Sequence, residues 1–370
     1  VATGAFVYWA FSDLGKAVYV FASILIVACP CALALTIPFT FGNVMRVFGR
    51  NGFYIKNTGV IEHLTRADTV VFDKTGTLTH SRSMNVVWEG DPLSPEEQKQ
   101  VRSVVYNSTH PLSVIIAGWL PVTELLPVDN YREIAGMGIR GEVGGVSILL
   151  GSRTFVAGRE SGDESRVSTV YLSTGNRLRG FFRLENAYRE GLDVVISGLK
   201  DFDLHLISGD NDAERQTLTK VFGTDKNLHF SQTPHDKLEF ISQLKQKRNK
   251  VIMIGDGLND AGALLKADTG ITIADDIYHF SPACDAILRS SEFARLHRFI
   301  GFSKLSLRVV YASYGISFLY NLVGLSFAVQ GVLSPVVAAI LMPLSSITVV
   351  TFASASVALL SKVRGLSPEN

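Results

Sequence analysis

Two long stretches of the chain carry no charged residue at all, positions 17–43 and positions 309–361. A helix crossing a bilayer needs about 20 predominantly apolar residues. The first stretch therefore predicts one membrane helix, and the second predicts two that fold back near Gln330-Gly331 and Ser334-Pro335. Residues 1–11 predict the tail of a further helix. Between these stretches the pattern changes. Short apolar runs at 69–72, 204–207, 251–254 and 269–273 read as buried strands that alternate with helical segments. That alternation predicts a parallel α/β domain, interrupted by an insert over about 81–188. The first three runs each end in polar residues: Asp73, then Ser208-Gly209-Asp210, then Gly255-Asp256. Ligands of open α/β sheets bind at the carboxyl ends of strands, so these three motifs are predicted to converge.

Composition adds less than placement. A length of 370 residues suggests two or three domains, and the apolar share of 47% fits a partly membrane-embedded chain. Arg46 and Arg50, Lys304 and Arg308, and Lys362 and Arg364 flank the charge-free stretches. The excess of cations on inner loops then puts residues 42–308 in the cytoplasm, with outer loops near Asp13 and Gly331. A net charge of +1 argues for no nucleic-acid partner. The three cysteines offer no disulfide framework, since two of them form Cys29-Pro30-Cys31 inside an apolar run. With Val at its start and no signal peptide, the chain reads as the C-terminal part of a longer protein.

The candidate chemistry lies at two depths. Asp73-Lys74-Thr75-Gly76-Thr77-Leu78-Thr79 sets one carboxylate at the end of a buried strand, in a glycine-containing turn with a lysine and hydroxyls around it. This is how a chain presents an aspartate as a nucleophile toward a phosphoryl group. Within the membrane stretch, Pro30 removes a backbone donor and loosens the helix. Two cysteines at i, i+2 of an ideal helix point about 200° apart, so such a break is needed for both to approach one ion. Soft thiolates suit Cu(I), and Ag(I) about as well. Small apolar packing of the two cysteines is the alternative. Farther on, Tyr320-Asn321 and Met342 with Ser346 sit in the last two predicted helices. Met342 and Ser346 share a face. Ligation of an ion and hydrogen bonding between helices are both open for Tyr320, Asn321, Ser345 and Ser346.

The motif DKTGTLT, followed in order by Ser108-Thr109-His110-Pro111-Leu112, Gly136-Met137-Gly138, Ser208-Gly209-Asp210, Thr233-Pro234-His235-Asp236-Lys237 and Gly255-Asp256-Gly257-Leu258-Asn259-Asp260, resembles the P-type ATPases over almost the whole chain. The intramembrane cysteine pair and the His-Pro element resemble the heavy-metal (type IB) branch, most closely its copper(I) pumps. The resemblance implies a multi-domain α/β protein with transmembrane helices. Its parts would be a haloacid-dehalogenase-like parallel α/β phosphorylation domain (49–80 and 189–300), an inserted α+β nucleotide-binding domain (81–188), and membrane helices at 1–48 and 301–362.

It also implies roles. Asp73 would attack the γ-phosphoryl of ATP and become an aspartyl phosphate, with Lys237, Thr75, Ser208, Gly209 and Asp210 around the transferred group. Asp73, Asp256 and the Thr75 carbonyl would hold Mg²⁺, with Asn259 and Asp260 completing the polar shell. A cap on the following helix is an equally open role for Asp260. His110, Pro111, Gly136, Gly138, Gly151 and Lys74 would serve the nucleotide. Cys29, Cys31, Tyr320, Asn321, Met342 and Ser346 would bind the transported ion, and a copper chaperone is a possible donor. The protein would be an integral protein of a bacterial inner membrane with its catalytic domains cytoplasmic.

Thr75 replaces the second aspartate by which soluble phosphatases of this superfamily activate water, so the phospho-enzyme is expected to persist. Pumps of the branch generally carry Glu five residues before the His, where this chain has Val105, and Glu133 is the candidate substitute. Ser208, Leu258 and Gly262 are milder departures, and Ala274-Asp275-Asp276 with Cys284 is an atypical stretch. There is no Thr-Gly-Glu, the motif that positions the hydrolytic water. The competing readings are a Zn²⁺ or Cd²⁺ pump, which would pair CPC with a Lys and an Asp in the last helices, and a non-enzymatic metal-binding membrane protein.

Overall fold

The computed structural model describes residues 1–29, 31–158, 168–257, 259–275 and 284–366; Pro30, Leu258 and Asp276 lie outside the described residues. The chain divides into two compact units. The first comprises Val1–Asp73, Glu190–Ile207 and Gln232–Asn370, and the second comprises Lys74–Arg189 and Ser208–Ser231.

Among the described residues of the first unit, three helical stretches are long and apolar enough to cross a membrane: Leu14–Arg50, Ser290–Val329 and Pro335–Val363. The membrane span expected over 17–43 is present within Leu14–Arg50, and its helix is interrupted where the Cys-Pro-Cys motif led one to expect. One helix runs Leu14–Val27 and the next starts at Cys31. A proline has no amide proton to give the ladder, so a charge-free run long enough to span need not be one continuous helix. The helix Ala2–Ala10 precedes them, as the pattern of residues 1–11 predicted. The last two helices separate where expected, between Val329 and Pro335.

The catalytic sheet of this unit orders its strands Phe53–Ile55, Ala286–Arg289, Thr269–Ala274, Val251–Gly255, Thr69–Asp73 and Asp203–Ile207. All these pairs are parallel except the first, which is antiparallel. Thr69–Asp73 and Val251–Gly255 are buried at every position, because strands of a parallel sheet are covered on both faces and read as continuous apolar runs. Val71, Met253, Ile241 and Leu264 form part of the core beneath them. The register sets Ile207 opposite Asp73 and Ile254 opposite Phe72. The carboxyl ends of three strands therefore lie side by side.

The helix that begins at Cys31 runs on to Arg50 and meets the sheet directly. Gly52 makes the corner with φ +75°, where any Cβ would press on Arg289 and Glu292. Beyond it Phe53 opens the edge strand. Phe48, Phe53, Phe299 and Phe302 close this corner with ring centroids 5.0–5.9 Å apart, and all four are fully buried.

The second unit is an antiparallel sheet in the order Thr79–Gly90, Arg177–Tyr188, Ser168–Thr174, Val146–Gly151, Gly138–Val143 and Asp129–Ile134. The helices Pro95–Tyr106 and Pro111–Trp119 pack on it through Val101, Val104 and Ile116 against Ile139, Leu150 and Phe182. Ser94 and Glu97 start the first of these helices with a reciprocal capping box.

Candidate active site

Asp73 ends its strand with only 3% of its surface exposed. Lys237 reaches it from the first turn of helix Pro234–Gln246, a placement fixed by local chemistry. Thr233 caps that helix, Asp236 returns the bond, and Pro234 occupies the first turn. The Lys237 ammonium pairs with Asp73 Oδ1 and with Asp260 Oδ1, the latter at 2.8 Å. Asp260 does not cap the helix after it with its side chain; the capping reading is corrected in favour of this ion pair. Asp256 is half-buried beside them and accepts the Asn259 amide at 3.4 Å.

Two carboxylates pair with one ammonium here and the Asp256 charge bears on both of them, and the electrostatics follow. Burial, then the Asp260 charge, push Asp73 up to about 7, against the pull of Lys237. Burial raises Asp260 as well. Burial disfavours the charged form of Lys237, but Asp73 and Asp260 outweigh it and hold the ammonium above its usual value. Asp260 Oδ2 is buried with no hydrogen-bond partner among the described residues. Excess negative charge, oxygen donors and an orphaned buried carboxylate oxygen fit a hard divalent cation. Among the described residues no three His, Cys, Asp or Glu side chains form a complete cage. Mg²⁺ ordinarily takes one or two carboxylates and completes its shell with water and phosphate, so the residues present fit Mg²⁺.

In the second unit the turn Lys74–Leu78 is held from behind. Gly76 adopts φ +76° to make it. The buried Arg189 guanidinium donates to the Thr77 carbonyl at 2.9 Å and the Gly76 carbonyl at 3.0 Å. Lys74 is buried and pairs with Asp210 at 2.7 Å and Glu214 at 2.8 Å. Burial works against its charge, but those two carboxylates raise its pKa overall. Thr75 donates its hydroxyl to Asp210 Oδ2 at 2.8 Å. Asn186 donates to Glu214 at 3.0 Å. Ser208 is fully buried, and its hydroxyl accepts the Asp210 amide at 3.1 Å. Gly209 lies between these two in the turn.

The same unit contains a cavity of about 470 Å³ lined by His110, Gly136, Gly138, Gly151, Val105 and Glu133, among others. His110 caps its own helix, accepting the Leu112 amide on Nδ1 at 3.3 Å. Gly138 and Gly151 sit opposite each other on paired strands, where a Cβ on either would collide with the other strand's backbone. Glycine there leaves the cavity wall thin. Pro111 is the first residue of the helix and does not line the cavity, nor does Lys74, which is turned to Asp210 and Glu214. Lys74 anchors the turn through these two carboxylates.

Within the membrane helices a small cavity of about 20 Å³ is lined by Val27, Tyr320, Asn321, Gly324, Met342 and Ser345, among others. Ser345 lines it, whereas the Ser346 hydroxyl lies 3.5 Å from the Met342 carbonyl. Proline at 343 sits between Met342 and both serines, and the deeply buried face of this helix carries 345. The Cys29 and Cys31 sulfurs lie in direct contact with each other. The break between the helices turns both sulfurs to one side, where they meet each other. Metal ligation requires the two thiolates, and hence the reduced pair.

Sequence reasoning missed Glu214, Arg189 and Asn186. Only Glu214 left a local signal, an acid four residues after Asp210 near the start of helix Arg215–Phe222.

Residues 67–268 match the family described as haloacid dehalogenase-like hydrolase, and the chain belongs to that family. Its relatives within it are metal-transporting P-type ATPases. It is 29% identical over 347 residues to a copper-exporting P-type ATPase of Staphylococcus haemolyticus, a match covering 89% of this chain and 43% of that protein. It is 32% identical over 350 residues to a probable copper-exporting P-type ATPase V of Mycobacterium tuberculosis, covering 89% of this chain and 45% of that one. The chain spans about half the length of the curated relatives it matches. A zinc-transporting PIB-type ATPase in its E2.Pi state shares the fold with a TM-score of 0.81 at 22% identity, covering 96% of this chain and 61% of that one.

Proposed function

We propose that this chain carries the phosphorylation, nucleotide-binding and ion-binding parts of a pump that uses ATP to export a soft metal ion, Cu(I), across a bacterial inner membrane. In this reading residues 49–80 and 189–300 are the cytoplasmic phosphorylation domain. Residues 81–188 bind ATP, and 1–48 and 301–362 are the membrane part. The observation that carries the reading is Asp73 at the end of a buried strand, held by Lys237 beside Asp260.

The chemistry follows from that geometry. The Asp73 carboxylate attacks the γ-phosphorus of ATP, forming a P–O bond while the bond to the β-phosphate oxygen breaks and ADP leaves with the electron pair. Lys237 balances the charge gathered on the transferred group. Asp73, Asp256 and Asp260 are the side chains that would hold Mg²⁺, with the Thr75 carbonyl and Asn259 as further oxygen donors. The ion when bound lowers the carboxylate pKa values and neutralises phosphate charge. Ser208, Gly209 and Asp210 supply hydroxyl and amide groups at the next strand end. With Thr75 in place of a general acid/base, no side chain two residues on activates water, and the aspartyl phosphate lasts long enough to drive a transport step.

For the cargo, the cavity lined by Tyr320, Asn321 and the thioether of Met342, together with the Cys29–Cys31 pair, suits a soft monovalent ion, and the charge-free run 309–361 lacks the Lys and Asp that a zinc pump would place there. A copper chaperone fits as the donor. The test is the acid-stable phosphate formed from ATP by the whole protein with Cu(I), Ag(I) or Zn²⁺ under reducing conditions. Stimulation by Cu(I) and Ag(I) is expected, whereas stimulation by Zn²⁺ alone would reverse the choice of ion.

A further inference from the structure

Hydroxyls inside the membrane helices follow one habit here. Ser23 donates to the Tyr19 carbonyl at 2.9 Å, Thr36 to Ala32 at 2.9 Å and Ser345 to Met342 at 2.7 Å. Such bonds to the preceding turn are how a helix satisfies a buried Ser or Thr. Thr40, Ser313 and Ser317 do not follow it. All three are at most 1% exposed, and none of their hydroxyl oxygens has a hydrogen-bond partner among the described residues.

Their placement is ordered. Ser313, Ser317 and Asn321 succeed one another at four-residue steps, so they share one face of helix Leu296–Val329. Asn321 on that face lines the small cavity. Thr40 lies on the buried face of helix Cys31–Arg50, which packs against Leu296–Val329. Phe48 and Phe302 fix the level of the two helices where they meet the catalytic sheet. At 1.5 Å per residue, Thr40, Ser313, Ser317 and Cys31 then lie about 12, 16, 22 and 26 Å above that contact. The unsatisfied hydroxyls form a ladder that climbs from the catalytic side to the cysteine pair.

We propose that Thr40, Ser313 and Ser317 line a narrow water-admitting passage by which the ion reaches the Cys29–Cys31 site from the catalytic side. The inference rests on reading the chain as a metal pump. A free hydroxyl oxygen offers a lone pair to water or to a cation. As a neutral, hard ligand it holds a soft ion weakly, so the ion is not retained before it meets the thiolates. Passage through a pore requires such weak sites in series.

The test uses the whole protein in phosphatidylcholine/phosphatidylglycerol vesicles, oriented with the catalytic side outward. Ser313→Cys and Ser317→Cys are treated with a charged, membrane-impermeant methanethiosulfonate from that side, and modification is read at the substituted peptide by mass spectrometry. Both positions are expected to be modified, and bound Ag(I) to slow the reaction at least about tenfold. Ser23→Cys, equally buried but at a hydroxyl that is bonded, should stay unmodified. Separately, the double variant Ser313→Val, Ser317→Val should keep equilibrium Ag(I) binding while metal-dependent phosphorylation slows about tenfold. Unmodified cysteines at 313 and 317, or a double variant phosphorylated at the wild-type rate, would overturn the passage. A wild-type protein that forms no metal-dependent aspartyl phosphate sinks the pump reading instead, and the modification result decides the passage independently of it.

Discussion

Asp73 is poised by its neighbours, and the balance among them is measurable. Its pKa stands at about 7 against 3.8 for a free carboxyl. Between those values the folded chain holds a proton that the unfolded chain has lost, so this group makes stability fall as pH rises from about 4 to 7 in the absence of Mg²⁺. Asp260, raised as well, acts in the same direction. Lys237, raised above its usual value, contributes stability that is present below pH ~10.5 and lost as pH climbs past it. Asp260→Asn removes one repelling charge and is expected to lower the Asp73 pKa, as read by carboxyl carbon NMR; an unchanged or higher value contradicts this electrostatic picture. Lys237→Met leaves the buried carboxylates unpaired and should cost about 3–5 kcal/mol of stability by denaturant unfolding near pH 8. Much of that loss should return when Asp73→Asn is added. In the other unit, Val105 and Glu133 line the same cavity wall. Glu133→Ala should weaken ATP binding about tenfold, the scale of one good hydrogen bond, as measured by calorimetry. An unchanged affinity would remove Glu133 from the account.

At the scale of elements, two devices set the chemistry: the strap on the turn Lys74–Leu78 and the break between the two halves of Leu14–Arg50. Arg189→Ala strips two carbonyls of their buried donor and should cost about 2 kcal/mol, with the turn's amides exchanging faster. Pro30→Ala restores a backbone donor and with it the tendency to continue the helix, turning the sulfurs about 200° apart. Binding of Ag(I) to the reduced protein should then weaken at least about tenfold. Unaltered affinity would show that the break does not assemble the site. These elements were legible in the sequence to different degrees. The strand ends were plain, because a doubly covered parallel strand is a continuous apolar run and each run stopped at a polar motif. Lys237 was named through the motif Thr233-Pro234-His235-Asp236-Lys237, and the capping box seen in the structure fixes its place. The clamp of Glu214 on Lys74 joins residues 140 positions apart in the chain, and no local pattern announces such a pair. The helix break was legible from Pro30, which can give no amide proton to the ladder, while the absence of charge reported only depth in a membrane. Ser345 rather than Ser346 lines the small cavity, because a spacing of four residues gives a face only to within one neighbour.

Across the first unit, one helix links the two chemistries. Cys31–Arg50 starts at a cysteine of the proposed ion site and ends in the aromatic corner that Phe48 shares with Phe53 on the edge of the sheet. Arg295 reinforces the corner, donating to Asn51 at 2.9 Å and to the Gly365 carbonyl at 2.5 Å, while Asn51 donates to the Leu366 carbonyl at 2.8 Å. The ends of the first and last membrane spans are thereby tied to the sheet that carries Asp73. Interiors packed this tightly move as bodies rather than deforming continuously. Phe48→Ala opens a cavity at the joint, and about 3–5 kcal/mol of stability should go with it. The same variant should bind Ag(I) normally yet lose the dependence of phosphorylation on metal; retained dependence would place the linkage elsewhere. The most direct test of the whole account is acid-stable phosphate at Asp73 in the complete, reduced protein supplied with ATP and Mg²⁺. The phosphate should appear only when Cu(I) or Ag(I) is added, and should vanish in both Asp73→Asn and the Cys29→Ser, Cys31→Ser double variant. Phosphate that forms equally without metal, or that survives loss of both cysteines, would contradict it.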